Sequence, residues 1–317
     1  MTRLSPRPST RAPTDKLTSM SNDRILVLGA TGQLGAALCR QLGPAAIPAA
    51  RRPPTPDWLN LDLATLTESP DELVSANKLT AIICSAGATD VERCESDHTW
   101  ADAANHLGPL ALARAAANAR IPYVFYSTDY VFPGTPSNPG PYTEDAPTHP
   151  LSVYGGTKRE GEVEILKENP SALVLRTTTV YGPDPQGKNF LYTLRRLLSS
   201  GQSMRVPTDQ LATPTYNDDL ARATLALLHG GHTGLFHAAG PTMLSRIEFA
   251  RLACDILSLD ESFLIPLTTP ELHQRAARPL IAGLDSTLLT TTLGRPYFRT
   301  PEQGIADWAS AGQSTLA

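Results

Sequence analysis

Arg24-Ile-Leu-Val-Leu28 runs directly into Gly29-Ala-Thr-Gly-Gln-Leu-Gly35. The first five residues make a short, continuous apolar run, the pattern of a strand buried on both faces of a parallel sheet. The next seven place glycine at 29, 32 and 35. Glycine after a strand lets the backbone come close to a ligand, and the following helix turns its positive end toward it. A diphosphate needs both. A glycine triplet alone is a weak signal, but this one stands between the first strand and the helical stretch 32–42, where the dinucleotide cradle of a Rossmann-type sheet belongs. Gly29, Thr31, Gly32, Gln33, Leu34 and Gly35 are therefore expected to line a cofactor.

Working outward, the runs 45–50, 79–84, 121–127 and 172–176 read as strands. The stretches 99–118, interrupted by Gly108-Pro109, and 152–168 read as helices. This alternation predicts an α/β fold with a doubly wound parallel sheet of Rossmann type. Past residue 180 the alternation weakens. Helices over 190–199, 218–228 and 245–257 and a short strand at 235–238 are separated by Pro- and Thr-rich stretches; Ser245 and Glu248 have capping-box spacing. The chain thus divides into an NAD(P)-binding unit (23–180, with returning segments near 216–240) and a smaller C-terminal substrate-binding lobe (181–215 and 241–317). Residues 1–22, rich in Pro, Ser, Thr and Arg, read as a disordered tail.

Bulk properties narrow the function. The 317 residues are 41% hydrophobic and 18% charged, ordinary for a globular protein. A net charge of −4 without a basic tract argues against nucleic acid as partner. No apolar run approaches the roughly 20 residues that span a bilayer. Cys39, Cys84, Cys94 and Cys254 lack CxxC spacing and sit in apolar or helical stretches, as free thiols of a reducing, cytoplasmic compartment do. His229-Gly-Gly-His232 has a ligand-like spacing, but its glycines mark a loop, and no metal is assigned.

The second strand ends at Ala50-Arg51-Arg52, with no carboxylate before Asp57. A carboxylate there would bind a ribose hydroxyl, whereas a guanidinium forks onto a 2′-phosphate. Arg51 and Arg52 therefore favour NADPH, with NADH possible. Asp62, beside Leu63, is placed to meet the adenine or to cap a turn, and Ser85-Ala86-Gly87 follows the third strand where the nicotinamide ribose would lie. Some 120 residues past the glycines comes Tyr154-Gly-Gly-Thr-Lys158, a Tyr and a Lys on one helix face. A phenol near pKa 10 is a poor acid at neutral pH, and a nearby ammonium would lower that value. Such a pair can protonate a carbonyl oxygen that is receiving a hydride. The third member is expected at a strand end. Thr128 is the choice for a hydrogen bond to the substrate carbonyl, Ser127 the reserve, and Asp129 either binds a substrate hydroxyl or forms an Asx-turn.

Taken in order, these pieces resemble an extended short-chain dehydrogenase/reductase, most closely the dTDP-4-dehydrorhamnose reductases. The matching segments are 29–35, Ser127-Thr-Asp-Tyr-Val-Phe132, Tyr154-Gly-Gly-Thr-Lys-Arg-Glu-Gly-Glu162, Leu175-Arg-Thr-Thr-Thr-Val-Tyr-Gly182, Asp209-Gln-Leu-Ala-Thr-Pro-Thr-Tyr216, 240–250 and Leu284-Asp-Ser286. The resemblance runs from about residue 23 to the carboxyl end. It implies hydride transfer from NAD(P)H to the 4-keto group of a nucleotide-linked 6-deoxyhexose. It makes Thr128, Tyr154 and Lys158 the catalytic set, makes Asp129 a sugar contact, and puts Asn105 near the site. Thr179 stands where the rhamnose enzymes usually carry a pocket-lining Trp. Some members bind Mg²⁺ through carboxylates between subunits, and a homodimer is a possible assembly; those ligands have no counterpart assigned in this sequence. Two rivals remain. The regulatory β subunit of methionine adenosyltransferase is similar and would hold NADP without turnover. Sugar-nucleotide dehydratases and epimerases also share the motifs, but dehydratases usually place Asp-Glu after the catalytic Thr, where this chain has Asp129-Tyr130.

Overall fold

The computed structural model describes residues 23–66 and 69–313, so the tail expected at 1–22 lies outside the described residues. Seven strands form one parallel sheet: β1 (Ile25–Leu28), β2 (Ala46–Ala50), β3 (Leu59–Asn60), β4 (Ala81–Cys84), β5 (Tyr123–Thr128), β6 (Leu173–Thr177) and β7 (Gly234–His237). Their order across the sheet is β7-β6-β5-β4-β1-β2-β3. Leu28 pairs with both Ala49 and Cys84, Cys84 with Phe125, and Thr128 with Thr177. The chain therefore moves outward from β1 in one direction, returns, and continues in the other. The reversal opens a crevice above the carboxyl ends of β1 and β4, where ligands of open α/β sheets bind. The doubly wound α/β expectation holds.

The central strands β1, β4 and β5 are buried along their whole length, as the continuous apolar runs require. Helices cover both faces. On one face, α1 (Gln33–Leu42) packs beside the helix Asn217–His229, with Leu38, Leu220 and Leu227 at the seam. On the other lie α2 (Pro70–Ala76), α3 (Val91–Ser96), α4 (His98–Asp102), α5 (Gly108–Ala119) and α6 (Val153–Glu168). Leu73, Leu112 and Ile165 fill that second layer.

The break expected at Gly108-Pro109 takes an unexpected form. Between α4 and α5 the chain winds through a π-turn, Ala103–Leu107, and helical backbone continues without a gap. Pro109 lacks an amide proton, and the π-turn interrupts the regular hydrogen-bond ladder just before it. A side chain on Gly108 would collide with the Leu63 carbonyl. The short elements β3, α2 and α3 were not anticipated; they fall in a polar stretch with too few residues to show a period.

Past β6 the chain makes α7 (Phe190–Ser199), α8 (Asn217–His229), α9 (Arg246–Leu257), α10 (Thr287–Leu293) and α11 (Pro301–Gln313). Three two-stranded pairs join them: 180–181 with 215–216, 211–212 with 244–245, and 204–207 with 264–267. A separate core of Tyr181, Leu194, Phe249, Ile305 and Trp308 holds this part together, while α8 and β7 belong to the main sheet. The capping box forms as read: the Ser245 amide donates to Glu248 (2.8 Å), and the Glu248 amide donates to the Ser245 hydroxyl (3.3 Å). Among the described residues no helix is long and apolar enough to cross a membrane.

Candidate active site

The glycine turn is built by close backbone packing. Gly29 has φ +77°, and a Cβ there would lie 2.9 Å from the Ala86 amide nitrogen. The two loops that border the crevice are thus pressed together, and the Ser85 hydroxyl ties them by donating to the Leu28 carbonyl (2.6 Å). A Cβ on Gly35 would strike the Gly29 carbonyl, so α1 can start this close to β1 only with glycine at that point. Gly32 takes the N-cap position of α1 and offers no side-chain cap. The first amides of the helix therefore face the crevice with no side chain closing them off.

Around this cradle the expected residues separate into those that face it and those that shape it. Arg51 and Arg52 are exposed just past β2 and make no ion pair among the described residues. Gln33 turns away: its side chain donates to the Val180 carbonyl (3.1 Å) and accepts from Asn189 (3.0 Å). The Thr31 carbonyl accepts from Gln186 (3.0 Å), and Leu34 packs on the core, so the side chains of Gln33 and Leu34 are both occupied away from the cradle. Asp62 proves to be a turn cap, accepting from the Ala64 amide (3.0 Å). Leu63 is a core side chain. Gly87 leaves room for two others: a Cβ there would lie 2.8 Å from Asn105 Oδ1 and 3.0 Å from Lys158 Nζ.

The acid–base group stands at the carboxyl end of β5. Ser152 caps α6 by accepting from the Gly155 amide (3.2 Å), and this start brings Tyr154 and Lys158 onto the face of the helix that packs on β5. The Tyr154 phenol neighbours the Thr128 hydroxyl. Burial pushes the phenol above its ordinary value, with Thr128 pulling it partly back and the Asp129 charge adding to the rise. Lys158 is buried, its ammonium donating to the Tyr126 carbonyl (3.1 Å) and lying 4.7 Å from the Phe125 ring centroid. Burial pushes its pKa down to about 8. The expected lowering of the phenol by this ammonium is thus not found: Lys158 points toward Gly87 rather than at the Tyr154 hydroxyl.

Three further expectations change. The Thr128 hydroxyl donates to Asp129 Oδ1 (3.0 Å), so its single proton is already engaged. Its oxygen accepts from the Tyr130 amide (3.2 Å). Asp129 is buried, and its other oxygen accepts from Thr178 (2.7 Å). Burial lifts this carboxyl to about 6, against the pull of Thr178, Thr128 and Arg246. Asn105 is fully buried on the π-turn. It accepts from the Ala88 amide (2.8 Å) and donates to the Ala88 carbonyl (3.1 Å) and the Thr157 hydroxyl (3.3 Å). It is a clasp between the loop after β4 and the Tyr–Lys helix. Ser127, the reserve hydroxyl, is buried without a hydrogen-bond partner among the described residues. Thr179 does border the site, in an unusual state: φ is +42°, a genuine outlier for a β-branched residue.

The structure also brings in residues the sequence reading passed over. Tyr130 packs edge-on to Tyr154 with ring centroids 5.4 Å apart. Arg246, from the start of α9, donates to Thr179 (3.4 Å) and acts electrostatically on Asp129 and Tyr130. Arg278 pairs with Glu92 (2.8 Å), and its charge holds down the pKa of Tyr130 against burial. One signal for Arg246 was present: a cation in the first turn of a helix opposes the helix dipole, so its place needs another reason. Arg278 sits in an irregular segment that carried none.

Comparison with known proteins agrees with this arrangement. Residues 23–308 match the RmlD substrate binding domain. A dTDP-4-dehydrorhamnose reductase of Mycolicibacterium smegmatis is 33% identical over 297 residues, covering 93% of this chain and 85% of its own. Among solved structures, a dTDP-4-dehydrorhamnose reductase from Clostridium acetobutylicum superposes with a TM-score of 0.83 at 30% identity, covering 92% of this chain and 99% of its own. The corresponding protein from Bacillus anthracis, solved in complex with NADP, gives 0.82 at 27% identity, with 91% and 99% covered. With the glycine cradle, the Thr–Tyr–Lys grouping and a match across nearly its whole length, this chain belongs to the RmlD, or dTDP-4-dehydrorhamnose reductase, family of extended short-chain dehydrogenases/reductases.

Proposed function

We propose that the chain reduces the 4-keto group of a nucleotide-linked deoxyhexose, taking its hydride from NADPH. One observation carries this reading: Tyr154 stands beside Thr128 at the carboxyl end of β5, and Lys158, one helical turn on, reaches the Gly87 loop that borders the crevice. The names of the relatives point to dTDP-linked 4-keto sugars as the substrate class.

Gly29, Gly32 and Gly35 fit a diphosphate, since a Cβ at Gly29 or Gly35 would fill the space that lets the two loops meet. Arg51 and Arg52 would bind the 2′-phosphate, and Lys158 a ribose hydroxyl beside Gly87. The bound cofactor supplies a hydride. The residues of the chain do the rest. Tyr154 donates its phenolic proton to the O4 oxygen as that oxygen gains negative charge. Thr128 holds the phenol in place, itself held by Asp129. Burial raises the phenol, which keeps it protonated until an alkoxide stronger than itself forms. Asn105 and Thr157 keep α6 in register with the loop that borders the crevice.

Incubation with NADPH and dTDP-4-dehydrorhamnose, followed at the reduced-nicotinamide absorbance, tests the reading. We expect substrate-dependent oxidation, and a Tyr154→Phe variant that still binds NADPH but turns over at least a hundredfold more slowly. NADPH binding without oxidation across a panel of dTDP-sugars would favour a non-catalytic NADP holder. Purification with tightly bound NAD⁺ would favour a dehydratase or epimerase.

A further inference from the structure

Outside the crevice, one imidazole is surrounded by carboxylates. His106 sits on the π-turn next to Asn105, about nine-tenths buried. Its Nδ1 lies 2.8 Å from Asp102 Oδ1 and 4.0 Å from Glu160 Oε2. Its Nε2 lies 3.2 Å from Glu164 Oε2, in a contact not aligned for a hydrogen bond, and that nitrogen has no other partner among the described residues. The four side chains come from three elements: Asp102 from the end of α4, His106 from the π-turn, and Glu160 and Glu164 from α6. Asp102, His106 and Glu160 each offer one ligand atom, all within 4.8 Å of one another.

A neutral imidazole has one N–H donor and one lone pair. Here both nitrogens face carboxylate oxygens. Whichever tautomer forms, one lone pair is set against an anionic oxygen at about hydrogen-bond distance. Three carboxylates around one ring call for a positive charge among them. If Nε2–H faces Glu164, the Nδ1 lone pair is left aimed at the group formed by Asp102 and Glu160. A ligating histidine is commonly oriented in this way by a carboxylate on its other nitrogen.

We propose that Asp102, His106 and Glu160 bind a divalent metal ion of the imidazole-accepting class, such as Zn²⁺, with Glu164 orienting the ring. Imidazole together with carboxylate selects this class over Mg²⁺ or Ca²⁺, which prefer all-oxygen sites. Solvent completes the coordination, because Glu160 is well exposed. The ion would pin the π-turn to α6. That turn carries Asn105 and that helix carries Tyr154 and Lys158, so the ion would brace the catalytic helix from its outer side without touching the reactants.

The test uses the whole chain, freed of metal by chelation. Zn²⁺ is titrated by calorimetry, and Co²⁺ is added to read ligand-field absorption. We expect one equivalent of Zn²⁺ to bind, Co²⁺ to give a visible spectrum shifted from that of the aqueous ion, and Zn²⁺ at a hundredfold excess over its Kd to raise the melting temperature by about 5 °C. Glu160→Gln, at an exposed position that tolerates change, should weaken binding tenfold or more, and Asp102→Asn likewise. Mg²⁺ should give no comparable shift. The absence of Zn²⁺ binding up to millimolar concentration overturns the proposal and leaves a protonated His106 as the balancing charge. Unchanged affinity in both carboxylate variants overturns it equally, by putting the ion elsewhere. Neither readout depends on the reductase activity.

Discussion

Single side chains carry the chemistry, and their protonation makes it testable. Lys158 loses its charge near pH 8, because burial disfavours the ammonium. If that ammonium holds the ribose, NADPH affinity falls as pH rises from 7 through 9, and fluorescence titration across that range should show it. A flat profile would remove Lys158 from the cofactor contacts. Asp129 works in the opposite sense. An unfolded aspartate ionises near 3.9, while the buried carboxyl ionises near 6. Between those values the native chain keeps a proton that the unfolded chain has lost, so stability drops as pH rises through the window, by about 3 kcal/mol in all. Asp129→Asn should therefore compare better with the parent at pH 7.5 than at pH 4 in urea melts, whatever it does to turnover. Arg51 and Arg52 carry the cofactor preference: replacing both with Ala should weaken NADPH about tenfold or more and leave NADH nearly unchanged, as measured by the two Kd values.

Elements fix where those side chains stand. Glu162, on the helix of Tyr154 and Lys158, makes a bidentate pair with Arg176 of β6, both bonds at 2.8 Å and both groups buried. His237 of β7 lies beside this guanidinium, and burial together with that charge pushes its pKa down to about 3, which keeps it neutral. Removing one partner leaves a buried charge uncompensated, so Glu162→Ala should cost about 3–5 kcal/mol in chemical denaturation. Glu162→Leu combined with Arg176→Met should cost clearly less than the sum of the single changes. Much of this scale was legible in advance. The apolar runs marked strands β1, β4, β5 and β6 because a strand buried on both faces must be apolar throughout, and the Ser245–Glu248 spacing marked the start of α9. The π-turn was not legible, because a helical period hides one extra residue. The roles of Asn105 and Asp129 were not legible either: a motif places a residue near a site but does not say whether packing has used up its polar atoms.

At the scale of the molecule, the two cores are joined by amide side chains. Gln33, in the glycine turn, bonds Val180 and Asn189, and Asn217 of α8 donates to the Gln33 carbonyl (3.2 Å) and to the Pro183 carbonyl (2.6 Å). The cradle is therefore wired to the segment that opens the second core. Gln33→Ala should raise the KM for the sugar nucleotide several-fold although its side chain faces neither ligand, and steady-state kinetics with each substrate varied in turn would reveal it. The sequence marked Gln33 only as a member of the glycine turn. Its partners are more than 140 residues away along the chain, and nothing local announces them.

The π-turn between α4 and α5 holds five residues where an ordinary helix would need one fewer to cover the same rise. Leu107, its last member, is half exposed and contributes little to either core. Deleting that one leucine would let the coil tighten into regular winding with small loss of buried area. The flanking helices would keep their register, but Asn105 lies inside the turn being rewound, and its amide would be drawn off Ala88 and Thr157. A shortening that looks harmless on the surface would unlatch the wall behind the tyrosine.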